Sequence, residues 1–128
     1  MHSVAETSTF RRNAEAAGMD EDEILRLTNY LAEHPLAGDL MPGTGGARKL
    51  RFAKPHQGKR GSYRVITFFG GHDIPIFLMD VYAKGEKINL SAREREELRK
   101  ELEAFAEEYR EGERRKIVEL RKRAEVAS

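Results

Sequence analysis

The sequence predicts an α+β domain in which helices pack on one small antiparallel sheet. Two segments, MDEDEILRLTNYLAEHP and NLSAREREELRKELEAFAEEYREG, repeat apolar residues at helical spacing on a charged background. Between them lie KLRFA, SYRVITFF and IPIFLMDVYA, which alternate or are rich in β-branched and aromatic residues, as strands are. Their connections are rich in glycine and proline.

Taken in order, SVAET reads as a short first strand and STFRRNAEAAG as a brief helix stopped by Gly18. In the next helix Asp20 and Glu23 stand at capping-box spacing, and Ile24, Leu27 and Leu31 form one stripe. Its acidic first turn complements the helix dipole, and Pro35 ends it. GDLMPGTGG is turn chemistry. In the strand KLRFA, alternation puts Lys49 and Arg51 on one face and Leu50 and Phe52 on the core face. A polar loop, KPHQGKRG, leads to SYRVITFF, and GGHD suits a tight hairpin to the next strand. Pro75 belongs at a strand start or an edge, because it has no N–H to donate. Ser91 and Glu94 form a second capping box, followed by the stripe Leu98, Leu102, Phe105, Tyr109. Gly112 is expected to interrupt this helix. Residues 1–111 then form the domain and residues 112–128 a charged tail, helical or disordered, with only Ile117, Val118 and Leu120 to bury.

A chain of 128 residues supports one hydrophobic core. No apolar run approaches the ~20 residues that span a bilayer, and no signal peptide opens the chain, so a cytoplasmic protein is expected. Without cysteine, disulfides and thiolate metal sites are excluded. The net charge of +1 conceals a strong asymmetry. Residues 1–39 carry −5, whereas residues 40–72 carry seven bases and no acid. From Asp39 to Asp73 no carboxylate intervenes.

A run of charge is often only a solvated face. The glycines do not make it a nucleotide loop: GTGGARK lacks the Gly-Lys-Ser/Thr ending of a phosphate loop and puts Arg48 where a dinucleotide fingerprint needs glycine. Lys49 and Arg51 beside a strand carrying Arg64 instead form a cationic surface, which Lys54, Lys59 and Arg60 on the adjoining loop extend. Their mutual repulsion is relieved when a polyanion binds. Tyr63 and Tyr82 add stacking surfaces, which makes single-stranded RNA the natural ligand. As a base, His56 in its Gly/Pro-flanked loop reads as an ordinary exposed histidine, His72 in a tight turn has a weaker claim still, and His2 and His34 lie outside the basic region. No spacing of His, Asp and Glu suggests a metal site, and no cofactor is called for.

The stretch HPLAGDLMPGTGGARKLRFAKPHQGKRGSYRVITFF, with IFLMDVYAKGEKINLSARE after it, resembles the HigB-type branch of the RelE toxin superfamily. The likeness is carried by a Pro-x-x-Gly-Asp turn, Pro-Gly-Thr-Gly-Gly-x-Arg-Lys leading into a strand, Gly-Lys-x-Gly-x-x-Arg-Val, and a Tyr-x-Lys near the last strand's end. It runs from about Thr9 to Glu108. The resemblance implies a RelE-like fold, with two N-terminal helices and one C-terminal helix on the sheet. It also implies the toxin of a type II toxin–antitoxin pair, a metal-independent endoribonuclease that cuts messenger RNA on the ribosome. The implied partner is a HigA-type helix-turn-helix antitoxin, with no membrane involved.

Carried onto this chain, the likeness makes Arg51 and Arg64 a phosphate clamp, Lys49 or Lys84 the proton-transfer group, and Tyr82 a stacking or ribose-positioning residue. Arg48, Lys54, Lys59, Arg60 and Tyr63 are expected to contact the RNA. The chain departs from the family at Ser62, where a glycine is frequent, in ITFFGG, which lacks a common tyrosine pair, and in its longer tail. Two rival readings share the fold: a ParE-type gyrase inhibitor, against which the retained cations speak, and an inactive RNA-binding relative.

Overall fold

A computed structural model describes residues 2–53, 62–83 and 90–127. The elements run β1 (Val4–Glu6), α1 (Ser8–Ala16), α2 (Glu21–Glu33), β2 (Asp39–Leu40), β3 (Ala47–Ala53), β4 (Ser62–Phe68), β5 (Ile76–Tyr82) and α3 (Ala92–Ala127). One five-stranded sheet has the order β1-β5-β4-β3-β2. The α+β class holds, with one refinement. β1 pairs parallel with β5, so an otherwise antiparallel sheet is mixed.

Local chemistry sets the first two helices. Thr7 caps α1 by accepting the Phe10 N–H, and Gly18, at φ +79°, ends the turn in a conformation other residues resist. The Asp20/Glu23 capping box opens α2 as expected. Phe10 and Ala14 of α1 and Ile24, Leu27 and Leu31 of α2 then pack on one sheet face against Leu50, Phe52, Tyr63, Val65, Ile76, Leu78 and Val81.

The other face meets α3. Leu98, Leu102, Phe105, Ala106 and Tyr109 of that helix pack with Ala47, Ile66, Phe68 and Phe77. The Ser91/Glu94 capping box forms with both of its hydrogen bonds. Gly112 does not interrupt the helix, which continues to Ala127. A single glycine costs only about 1 kcal/mol, and strong helix formers flank it on both sides. Beyond Gly112 the helix leaves the sheet, and Ile117, Val118, Leu120 and Val126 stand exposed. Among the described residues no helix is long and apolar enough to cross a membrane.

Three details of the sheet position the site. In the segment read as a turn, Asp39 and Leu40 pair with Lys49 and Arg48 as a short edge strand. Two residues are too few to show a pattern. Gly38 permits this approach: at φ +92°, a Cβ there would sit 2.7 Å from the Lys49 carbonyl oxygen. The GGHD hairpin is also looser than expected, since residues 69–75 separate β4 from β5, with Pro75 just ahead of the strand. Finally, a β-bulge interrupts the β4–β5 ladder, so Ile66 pairs with Asp80 but Thr67 with Leu78. The extra residue, Met79, shifts the alternation by one, which returns Val81 to the α1/α2 face and Tyr82 to the α3 face.

Candidate active site

The register of β3, β4 and β5 assembles the site. Arg51 stands directly opposite Arg64, and Arg64 directly opposite Tyr82, so these three side chains form one row across one face. In the next row Lys49 stands opposite Ile66, and Ile66 opposite Asp80. This is the face that α3 covers at Ile66 and Phe68. Arg64, Lys49 and Tyr82 are half-buried there, and Arg51 is exposed. Like charges directly opposite on a sheet repel. Here a hydroxyl lies between them: Ser62 Oγ accepts from Arg64 Nη1 at 2.9 Å and from Arg51 Nε at 3.3 Å. Among the described residues, neither Lys49 nor Arg64 forms an ion pair.

Two of the residues expected to contact RNA stand apart from this row. Arg48 has the opposite parity to Lys49 and Arg51, and its Nη1 donates to the carbonyls of Leu36 and Gly38, both at 3.1 Å. Its work is to tie the β2 turn to β3. Tyr63 is not a stacking surface but a core residue, 1% exposed, whose hydroxyl donates to Glu23 Oε2 at 2.9 Å. Burial, together with the Glu23 carboxylate, pushes its pKa up to about 12. Both faces of β4 are buried, so its sequence shows no inside-outside alternation to expose the error. Lys54, Lys59, Arg60 and His56 in the loop, and Lys84 after β5, lie outside the described residues.

Sequence reasoning noted Ser62, which is 2% exposed, only as a departure from the family, and gave no role to Thr44, which is fully buried. Thr44 Oγ1 donates to the Met41 carbonyl at 2.7 Å and accepts the Ala47 N–H at 3.1 Å, so the threonine of PGTGG holds the turn that launches β3. Asp80 was also missed. Its Oδ1 accepts from Asn13 Nδ2 at 2.7 Å and from the Val81 N–H at 2.8 Å, which locks the bulge to α1. A cleft of about 380 Å³ opens beside Tyr82, between β5 and the start of α3, with Ile66, Met79, Leu98 and Phe105 on its walls. Among the described residues no three His, Asp or Glu side chains gather as a metal site requires.

Paired guanidinium groups on one face of a sheet suit an anion with several oxygens, such as a phosphate. A family model described as the RelE toxin of the RelE/RelB toxin–antitoxin system matches residues 2–127. The chain belongs to the RelE toxin family. It is therefore a toxin of a toxin–antitoxin system, with an antitoxin as its partner.

Proposed function

We propose that this toxin is an endoribonuclease of the HigB-type branch, cytoplasmic, cutting messenger RNA on the translating ribosome and so stopping growth. The observation that carries the reading is the Arg51–Arg64 pair, joined through Ser62 and flanked by Lys49 and Tyr82 on one face. A like-charge pair so placed gains most when a phosphate sits between its members.

In this reading Arg64 and Arg51 hold the non-bridging oxygens of the scissile phosphate. The ribose 2′-oxygen attacks phosphorus, its proton passes to the amine of Lys49 or Lys84, and the P–O5′ bond breaks. The departing 5′-oxygen takes up a proton from the lysine that has just been protonated or from water, leaving a 2′,3′-cyclic phosphate and a 5′-hydroxyl. The guanidinium pair matters most as charge builds on the phosphorane, because its position is set before the reaction begins. Tyr82, in the same row, orients the ribose or a flanking base, and the cleft beside it has room for that base. The partner is a HigA-type antitoxin that covers the basic face, where an acidic surface would relieve the same repulsion.

The test is expression of the chain alone in a bacterium, with mapping of message 5′ ends. Growth arrest with new 5′-hydroxyl ends inside translated regions is the expected result. Folded protein that accumulates without effect, or arrest with intact messages and altered DNA supercoiling, overturns the reading.

A further inference from the structure

Ser62 places a hydroxyl within hydrogen-bond reach of both arginines. It is the first residue of β4, pairs in register with Ala53, and lies two residues before Arg64 on the same face. The residue is 2% exposed, so its hydroxyl is withdrawn from water and must be satisfied within the protein. The oxygen has two lone pairs, and it accepts one N–H from each guanidinium, at 2.9 Å from Arg64 and 3.3 Å from Arg51.

The choice of donors is informative. Arg64 contacts Ser62 through Nη1, on the far side of the guanidinium from the Nε–Nη2 edge that forks a phosphate side-on. Arg51 contacts it through Nε. One oxygen thus bridges two like-charged groups that repel each other.

We infer that Ser62 is a positioning residue for the anion site: its hydroxyl holds Arg51 and Arg64 convergent on a single phosphate. The inference rests on the proposed function only for the identity of that phosphate as a scissile RNA linkage. Alanine or glycine at position 62 leaves the backbone able to form β4 but removes the shared acceptor. The arginines then keep their charge and lose their convergence.

Two measurements on the full chain test this. In cleavage of ribosome-bound message, Ser62→Ala and Ser62→Gly should lower kcat about 10- to 100-fold, the effect of a small misplacement, with little change in KM. Ser62→Thr, which restores the hydroxyl, should recover most of the rate. In an Arg64→Ala background, Ser62→Ala should cost clearly less than in the parent, because only Arg51 is left to position and no second guanidinium remains for it to converge with. Equal losses in both backgrounds, or a folded Ser62→Ala that cuts at the parent rate, would overturn the assignment. The second measurement is independent of cleavage. Inorganic phosphate is titrated against the ¹⁵N-labelled protein while the Arg64 Nε–H resonance is followed. Affinity should fall about fivefold or more in Ser62→Ala, and unchanged affinity overturns the inference. A parent that binds phosphate through Arg64 but cuts no RNA would refute the nuclease reading and leave the role of Ser62 standing.

Discussion

Arg64→Ala is the most demanding perturbation of this site. Arg64 is the middle member of its row, with Arg51 on one side and Tyr82 on the other. Its one side-chain hydrogen bond within the described residues is to Ser62, through Nη1, and leaves the Nε–Nη2 edge for a phosphate. Removal deletes a bidentate, charge-assisted contact that strengthens as the phosphorane forms. Loss of one such preorganised donor costs about 10²–10³-fold in rate, or about 2.7–4 kcal/mol of transition-state stabilisation. The fold should not suffer. The side chain is half-buried on the α3 face and outside both apolar clusters, and its removal relieves repulsion with Arg51. Stability should stay within about 0.5 kcal/mol of the parent. Arg64→Lys should recover only part of the rate, since a point charge does not fork. The assay is single-turnover cleavage of ribosome-bound message at saturating enzyme, with circular dichroism and a thermal melt to confirm folding. A folded Arg64→Ala that cuts at the parent rate refutes the clamp. A loss confined to KM would mean that Arg64 binds ground state and transition state alike.

Three further outcomes are expected. Tyr63 is neutral in both states below pH 10. Above it the unfolded chain ionises at its ordinary value while the folded protein holds the proton to about 12, so stability falls across that window by roughly 2–3 kcal/mol. Denaturant titrations should show this loss in the parent and not in Tyr63→Phe, which in exchange loses about 1–2 kcal/mol at neutral pH because Glu23 Oε2 loses its buried donor. Gly38→Ala should destabilise by about 1–3 kcal/mol in the same titration, because a left-handed φ and the Lys49 carbonyl both oppose a Cβ. At the surface, the Arg110 guanidinium holds the Asp73 carboxyl below its ordinary range, so Arg110→Ala should raise that titration midpoint in a carboxyl NMR experiment.

What was legible in the sequence was what is encoded within a few residues. Both capping boxes, the split of Lys49 and Arg51 from Leu50 and Phe52, and the α3 stripe depend on spacings of two to four residues, and each appears in the structure. The misreadings arise where the deciding partner is remote. The Tyr63 hydroxyl meets a carboxylate 40 positions away, and β1 pairs with β5 over more than 70. Arg48 resembles its neighbours in composition and differs only in parity, which becomes meaningful once β3 is known to begin at Ala47. Ser62 joins Arg51 and Arg64 through a β3–β4 register that no local pattern announces.

The length of α3 has a consequence for how order is distributed along the chain. An isolated charged peptide of some fifteen residues is largely unfolded in water, because the first helical turn costs more than it returns. From Gly112 onward this helix has such a sequence and no sheet beneath it, yet it does not have to nucleate. Leu102 and Ala106 have already fixed the turns before it, and each later residue only adds one hydrogen bond to an existing ladder. Amide protection should therefore decline in a graded way toward the C-terminus, with no second cooperative transition. Weakening the packing of Leu102 would unwind turns that lie more than 20 Å beyond it. The exposed half of α3 reports on the sheet it never touches.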